Sequence, residues 1–340
     1  MNTEKPLICI TLGDPAGIGP EIVCKVAAAD FLGQLSIPVI LGSESILTRG
    51  MRHSGSCFEY RVIERVEEAR KPGPIALLPS GNLDAEKAEM SKTSVQNGKD
   101  QGDVLVHCIR LCQAGEMDGF CFAPLNKAAL KAGGYNYPSE HEMYADIYGQ
   151  KKDFGEMNYL HGLWNIRVTS HIPFNDICRN ITVENILKTA RLGFSTLRRA
   201  GCANPKIAVA ALNPHSGENG TCGKEEIDII KPAIELAAKE GMTLNGPFSA
   251  DILFIKALNK ENKYDGVITM YHDQGQIAIK LQDFKHCVTI SAGLPHPITT
   301  PAHGTAYDIA GTGKCVTLPF EDAFNLCCRM AKNDLIAKKD

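Results

Sequence analysis

The chain has no long hydrophobic run. Its apolar stretches fall far short of the roughly 18 residues that suggest a membrane span. It has no excess charge of either sign: 36 Lys+Arg oppose 39 Asp+Glu, a net charge of −3. With no basic stripe and no aromatic-rich basic segment, a nucleic-acid surface is not expected. Among 13 cysteines there is no C-x-x-C pair, and several sit in apolar runs such as LICI, GFCFA and NLCCRM. They read as small buried hydrophobes in a reducing compartment. Cys108 and Cys112 share a helix face, but no second pair of ligands joins them, so a zinc site there is not expected. No G-x-G-x-x-G or Walker A loop occurs. The opening MNTEKPLICITLGDP has no charged segment leading into an apolar one. The expectation is a cytoplasmic protein.

What is present is an alternation. The 340 residues suit two α/β domains or one large one. Short apolar segments at 7–12, 37–41, 119–122, 165–169, 206–211, 266–270 and 287–291 read as strands. Helical patterns cover 19–29, 99–114, 126–132, 183–200, 225–240, 249–259 and 320–333. Thr182 is a candidate N-cap, and Gly241 a candidate stop. Strands alternating with helices imply parallel or mixed sheets with helices on their faces. The segment 72–97 is the least regular and reads as a surface excursion.

Three of the strands run straight into histidines. NIRVTS leads to His171, KIAVAALNP to His215 and GVITMY to His272. In open α/β sheets ligands bind beyond the carboxyl ends of the strands. Any one of these residues, taken alone, is more economically a capping or core histidine. Three at equivalent strand ends point to a divalent ion with an open position, acting as a Lewis acid. Asp176 and Asp273 are candidates to orient the imidazoles.

Two glycine-rich loops flank the chain. TLGDPAGIGPEI (11–22) follows the first strand and opens a helix, offering backbone N–H groups to an anion. A plain tight turn fits it equally well, although Asp14 and Glu21 are then hard to explain. HGTAYDIAGTG (303–313) lets a flat ligand approach the backbone, and Asp308 is either an acceptor for ribose hydroxyls or an N-cap. APLNKAAL (123–130) exposes Asn126 and Lys127. Lys280, flanked by Ile and Leu, is a candidate anion contact or proton shuttle.

Taken together, TLGDPAGIGPEI, APLNK, SHIPFNDI, LNPHSGENG, NGPFSAD, MYHDQGQIAIK and HGTAYDIAGTG resemble the 4-hydroxythreonine-4-phosphate dehydrogenase family, in order and over nearly the whole chain. The first and last are similar to loops of isopropylmalate and isocitrate dehydrogenases. The resemblance implies two α/β domains with a cleft between them, isopropylmalate dehydrogenase-like: 1–125 with 300–340, and 126–299. It implies a homodimer whose active site is shared across the interface. His171, His215 and His272 would hold Zn²⁺, Mn²⁺, Mg²⁺, Co²⁺ or Ni²⁺, the third histidine coming from the partner subunit. NAD or NADP would take the hydride at Gly304, Thr305, Asp308, Gly217 and Asn219. Lys280, Asp251 and Asp14 would be catalytic. Where the product is a β-keto acid, decarboxylation would follow.

The departures fall in the substrate pocket. Where family members with 4-phosphorylated substrates carry G-H-T-E, this chain reads SEHEM, with Glu140 and His141 in place of His and Thr. A carboxylate there repels a phosphate dianion. Thr289 and Ile298 stand where the family has Asn and Arg, and Ala302 where it has Asp. Loss of the arginine removes a bidentate anion clamp. Lys127, Glu140, His141, Thr289 and Ile298 are thus the expected substrate positions. The expected activity is metal-dependent oxidation of a secondary hydroxyl in a hydroxy acid, either a four-carbon phosphate or an unphosphorylated diol acid such as a terephthalate-type cis-dihydrodiol. A non-redox metal lyase or hydrolase, and a non-catalytic paralogue, are the remaining alternatives.

Overall fold

The structure is a computed structural model that describes residues 5–81, 83–258 and 263–338. The chain divides into two compact α/β units. One runs up to Lys152 and resumes at Leu294; the other is Asp153–Gly293.

The first unit contains β1 (Leu7–Thr11), α1 (Gly19–Ala28), α2 (Phe31–Leu35), β2 (Ile37–Gly42), α3 (Glu44–Ser54), β3 (Tyr60–Val62), β4 (Ile75–Pro79), α4 (Val95–Gln113), β5 (Gly119–Phe122), α5 (Lys127–Ala132) and α6 (Glu140–Tyr148). The second contains β6 (Gly155–Leu160), β7 (Leu163–Arg167), α7 (Ile177–Asn180), α8 (Val183–Arg199), β8 (Lys206–Ala210), α9 (Lys231–Lys239), β9 (Thr243–Phe248), α10 (Ala250–Leu258), β10 (Gly266–Thr269), α11 (His272–Asp283) and β11 (Val288–Ala292). The chain then re-enters the first unit with β12 (Ile298–Pro301) and α12 (Leu318–Ala337).

Within the first unit the strand order is β3-β4-β2-β1-β5-β12, and every pair is parallel. LICIT is buried at all five positions, as a parallel strand covered by helices on both faces requires. Ile8, Ile10, Ile40, Phe120, Phe320 and Phe324 build that core. In the second unit the order is β11-β6-β7-β10-β8-β9. Its β11–β6 and β6–β7 pairs are antiparallel, while β7–β10, β10–β8 and β8–β9 are parallel.

All seven expected strands form, with ends shifted by a residue or two. Five more were not anticipated. YRV is short and partly exposed, and GEMNYL and TLNGPF are too polar to read as apolar runs. IALLP and ITTP end on proline. The 72–97 segment is therefore a partial correction: it holds β4 and the start of α4, whose N-cap Ser94 accepts from the Asn97 N–H. The expected helix 249–259 forms as α10, and residue 259 lies outside the described residues.

Helices α4 and α5 approach so closely that Gly98 admits no side chain. A Cβ there would lie 1.7 Å from the Ala129 carbonyl oxygen. Alanine elsewhere in a helix gains about 1 kcal/mol over glycine. Here backbone must move instead, so Gly98→Ala is expected to destabilise by about 3 kcal/mol in chemical denaturation. A stabilised variant would contradict this packing.

Candidate functional site

The parallel pairing of β7, β10 and β8 decides which edge carries the histidines. Arg167 pairs with Thr269, and Ile268 with both Ile166 and Val209. The three strands therefore end at one edge. Past β7, the Val168 and Thr169 N–H groups donate to the Thr269 and Met270 carbonyls, and the Thr169 hydroxyl donates to Met270 O at 2.8 Å. This stitching carries the two segments together up to His171 and His272, whose ring centroids are 5.5 Å apart. His171 turns into the left-handed region (φ 49°), and His272 is the first residue of α11. The two rings line an open cavity of about 310 Å³ with Thr169, Ser170, Phe174 and Tyr271.

His215 arrives from β8 in an unusual segment. Residues 215–219 all have positive φ, from 42° to 78°, and only Gly217 is glycine. Left-handed backbone costs about 1–2 kcal/mol per non-glycine residue, so something must hold it. The buried Glu226 carboxylate accepts from the Leu212 and Asn213 N–H groups and from the Asn213 side chain at 2.8–2.9 Å. The Cys222 N–H donates to Gly217 O across the turn. Gly217 is therefore buried beside Glu226, where a Cβ would meet that carboxylate at 2.6 Å, whereas Asn219 is exposed.

Carboxylates fix two of the three rings. Asp273 Oδ1 lies 2.6 Å from His272 Nδ1, and Glu218 Oε1 lies 2.9 Å from His215 Nδ1. Each pairing leaves Nε2 as the ligand atom, the arrangement metal-binding histidines use. Asp176 instead sits 3.9 Å from Arg179. Gln274 accepts from the Met270 N–H and donates to Ala211 O, tying the exits of β10 and β8 to each other. Asp251, on the first turn of α10, takes a bond from the Ser249 hydroxyl that lowers its carboxyl below the ordinary range, and the neighbouring charge of His215 lowers it further. Lys280 lies eight residues along α11, about 12 Å of rise from His272, with its ammonium over the Phe284 ring. Among the described residues the three imidazoles do not gather their donor atoms within 4.8 Å of one another; His171 and His272 come together within one chain, whereas the resemblance had His272 arriving from the partner subunit.

In the first unit the two glycine loops are packed into one structure. The Ile18 N–H donates to Thr305 O, and Gly17 leaves no room for a Cβ against Thr305. Glu21 accepts from the Gly311 and Gly313 N–H groups, and Lys25 donates to Gly313 O and Cys315 O. Those N–H groups are thus satisfied within the protein, and Glu21 is explained. Asp14 is fully buried: Oδ1 accepts from the Ala16 N–H and Oδ2 from the Tyr307 hydroxyl, which in turn accepts from Asn126. Gly304 and Asp308 are exposed on the loop surface, and a Cβ on Gly304 would meet open space. Burial holds His303 below its ordinary value of 6.5, so its ring is neutral at neutral pH.

The substrate positions divide. Lys127 Nζ pairs with Glu140 at 3.3 Å beside a small cavity lined by Lys131, Tyr135 and Tyr137. His141 Nε2 meets the Ser139 hydroxyl, the N-cap of α6, at 3.2 Å. Thr289 accepts from the Asn158 side chain within the second unit. Ile298 is fully buried in β12, enclosed by the core rather than open to a ligand. Glu218, Gln274, Glu226 and Tyr307 were missed by sequence reasoning. Only Glu218 left a signal, three residues after His215.

Burial raises the Asp14 carboxyl above its ordinary 3.8, against the opposing donors Tyr307 and Ala16. Folding therefore takes up a proton between 3.8 and the raised value. Ionised Asp14 weakens the fold above that value, and the penalty fades as pH falls through it. The stability of the wild type relative to Asp14→Asn is expected to rise as pH falls across this window in denaturation series; a flat difference would contradict it.

The family model described as "Pyridoxal phosphate biosynthetic protein PdxA" matches residues 34–327. The chain is 37% identical to the D-threonate 4-phosphate dehydrogenase of Salmonella typhimurium, over 96% of this chain and all of that one. Its fold is similar to the crystal structure of the 4-hydroxythreonine-4-phosphate dehydrogenase of Klebsiella pneumoniae: TM-score 0.83, 32% identity, 96% of this chain and 99% of that one. It is also similar to the terephthalate 1,2-cis-dihydrodiol dehydrogenase of Burkholderia xenovorans LB400: TM-score 0.64, 28% identity, 92% and 94%. With its motifs, its α/β units and these likenesses in agreement, the chain belongs to the PdxA family.

Proposed function

We propose that this protein is a divalent-metal-dependent NAD(P) dehydrogenase that oxidises a secondary hydroxyl of a four-carbon hydroxy-acid phosphate, of the 4-hydroxythreonine 4-phosphate or threonate 4-phosphate kind. The carrying observation is the strand edge at which His171 and His272 meet and where His215 is delivered. The donor set fits a transition ion, because Asp273 and Glu218 occupy the Nδ1 atoms and leave Nε2 for a ligand bond. A bound metal would supply Lewis acidity toward the substrate hydroxyl and a bound nicotinamide a hydride acceptor; where the product is a β-keto acid, decarboxylation would follow.

The chain's own residues do the rest. Asp251, ionised and next to His215, accepts the hydroxyl proton in this reading. Gly304, Thr305 and Asp308 present an open backbone and an exposed carboxylate to the cofactor's ribose. Gln274 keeps the β8 and β10 exits in register, which sets the spacing of the ligand loops. A homodimer completes the site. Its support is a set of exposed apolar side chains: Ile252 and Ile255 on α10, Ile277 and Leu281 on α11, and Phe284, with Leu281 81% exposed.

One observation favours a second substrate. Lys127 is already paired with Glu140, which leaves Lys131, among the described residues, as the cavity's one cation without a carboxylate partner, less charge than a phosphate dianion carries. An unphosphorylated diol acid suits it better. The test is nicotinamide absorbance with metal-loaded protein, NAD⁺ or NADP⁺, and matched phosphorylated and unphosphorylated acids. Turnover with the phosphates, lost more than about 100-fold in kcat/KM in His215→Ala, is the expected result. Turnover only with unphosphorylated acids selects the second reading. No reduction of either cofactor, or full activity in His215→Ala, would overturn both.

A further inference from the structure

A second histidine cluster lies in the same unit, away from the strand edge. His161 and Gly162 form the two-residue turn between β6 and β7, with φ of 48° and 94°. Asp283 ends α11, and His286 follows three residues later in a short helical turn. His161 Nε2 is 3.1 Å from Asp283 Oδ2, and His286 Nε2 is 3.9 Å from the same oxygen. The two rings are 4.7 Å apart. One donor atom from each of the three residues lies within 4.8 Å of the others, and among the described residues this is the group of three His/Cys/Asp/Glu donors that does so.

We propose that His161, Asp283 and His286 form a second divalent transition-metal site. Ligand atoms about 2.0–2.1 Å from a tetrahedral zinc lie roughly 3.3–3.4 Å apart. The observed 3.1 and 3.9 Å bracket that spacing, so small side-chain rotations complete the geometry. Two imidazoles and a carboxylate suit Zn²⁺, Co²⁺ or Ni²⁺ and are poor for Mg²⁺ or Ca²⁺, which prefer all-oxygen shells. In the single chain all three side chains keep solvent access, between 27% and 55%, which leaves room for a water as fourth ligand. The Lys263 ammonium reaches Gly162, but its exposed side chain is free to stay in solvent.

The site is distinct from the histidine trio. Asp283 lies eleven residues along α11 from His272, about 16 Å of rise. An ion here would clip the β6–β7 turn to the far end of the helix whose first residue is His272. Its role is structural, holding α11 at both ends.

The experiment counts metal. Chelator-stripped full-length protein is titrated with Zn²⁺, and bound metal is measured after gel filtration. The double variant H161N/H286Q is compared with H171N, asparagine being chosen at 161 because it tolerates positive φ. The expected result is that H161N/H286Q loses one Zn²⁺ equivalent that H171N retains, and loses the Zn²⁺-dependent rise in Tm attached to it. A Co²⁺ titration is expected to show one ligand-field band missing in the double variant. Equal Tm values in chelator confirm that the variant is folded. If H161N/H286Q binds as many equivalents as wild type with the same affinity, the cluster is an ordinary His–Asp–His ion pair and the proposal fails. The trio's own failure is distinguishable, because only then does H171N leave Zn²⁺ binding unchanged.

Discussion

The parallel alignment of β7, β10 and β8 is the constraint on which the proposed chemistry depends. A one-residue slip in a strand turns its side chains to the opposite face. A reversal would send its histidine to the opposite edge. The register Ile166–Ile268–Val209 and the bonds from Val168 and Thr169 to Thr269 and Met270 fix both. Three residues separated by 44 and 57 positions thereby share one edge. None of the three strands contains a site residue; their work is alignment, and the exits do the rest.

Each exit is then held by a different device. His171 rests on a left-handed turn, and His272 on the start of a helix whose Gln274 reaches both the Met270 N–H and the Ala211 carbonyl. His215 sits in five consecutive positive-φ residues, entered from Leu212 and Asn213, whose N–H groups the buried Glu226 carboxylate holds. Strained backbone persists only where its surroundings over-determine it, and such positions cluster at ligand sites. The first unit follows the same logic with another chemistry. Glu21 closes the 303–313 loop by taking two of its N–H groups, leaving Gly304 and Asp308 as its open surface.

Much of this was legible before any coordinates. Short continuous apolar runs such as LICIT and GVIT, bounded by turn residues, read as buried parallel strands, and His272 follows GVIT within three residues. What escaped has physical reasons. YRV and TLNGPF are short or polar, so their pairing depends on neighbours rather than on their own pattern. Helix α11 begins at the histidine itself and α6 at Glu140, and neither was among the expected helices. Glu226 and Gln274 act on backbone atoms 13 to 63 residues away, which no local spacing reveals. The Lys127–Glu140 pair changed a reading: Glu140 is not a bare negative charge but half of an ion pair.

The central claim is that His171, His215 and His272 bind one ion. Its most direct measurement is an anomalous-scattering map from crystals grown with Zn²⁺ or Mn²⁺, collected on both sides of the metal edge. The account predicts a peak within bonding distance of all three imidazoles, with the partner subunit completing the set. A map with no peak there, or with the imidazoles turned away from one another, would contradict it.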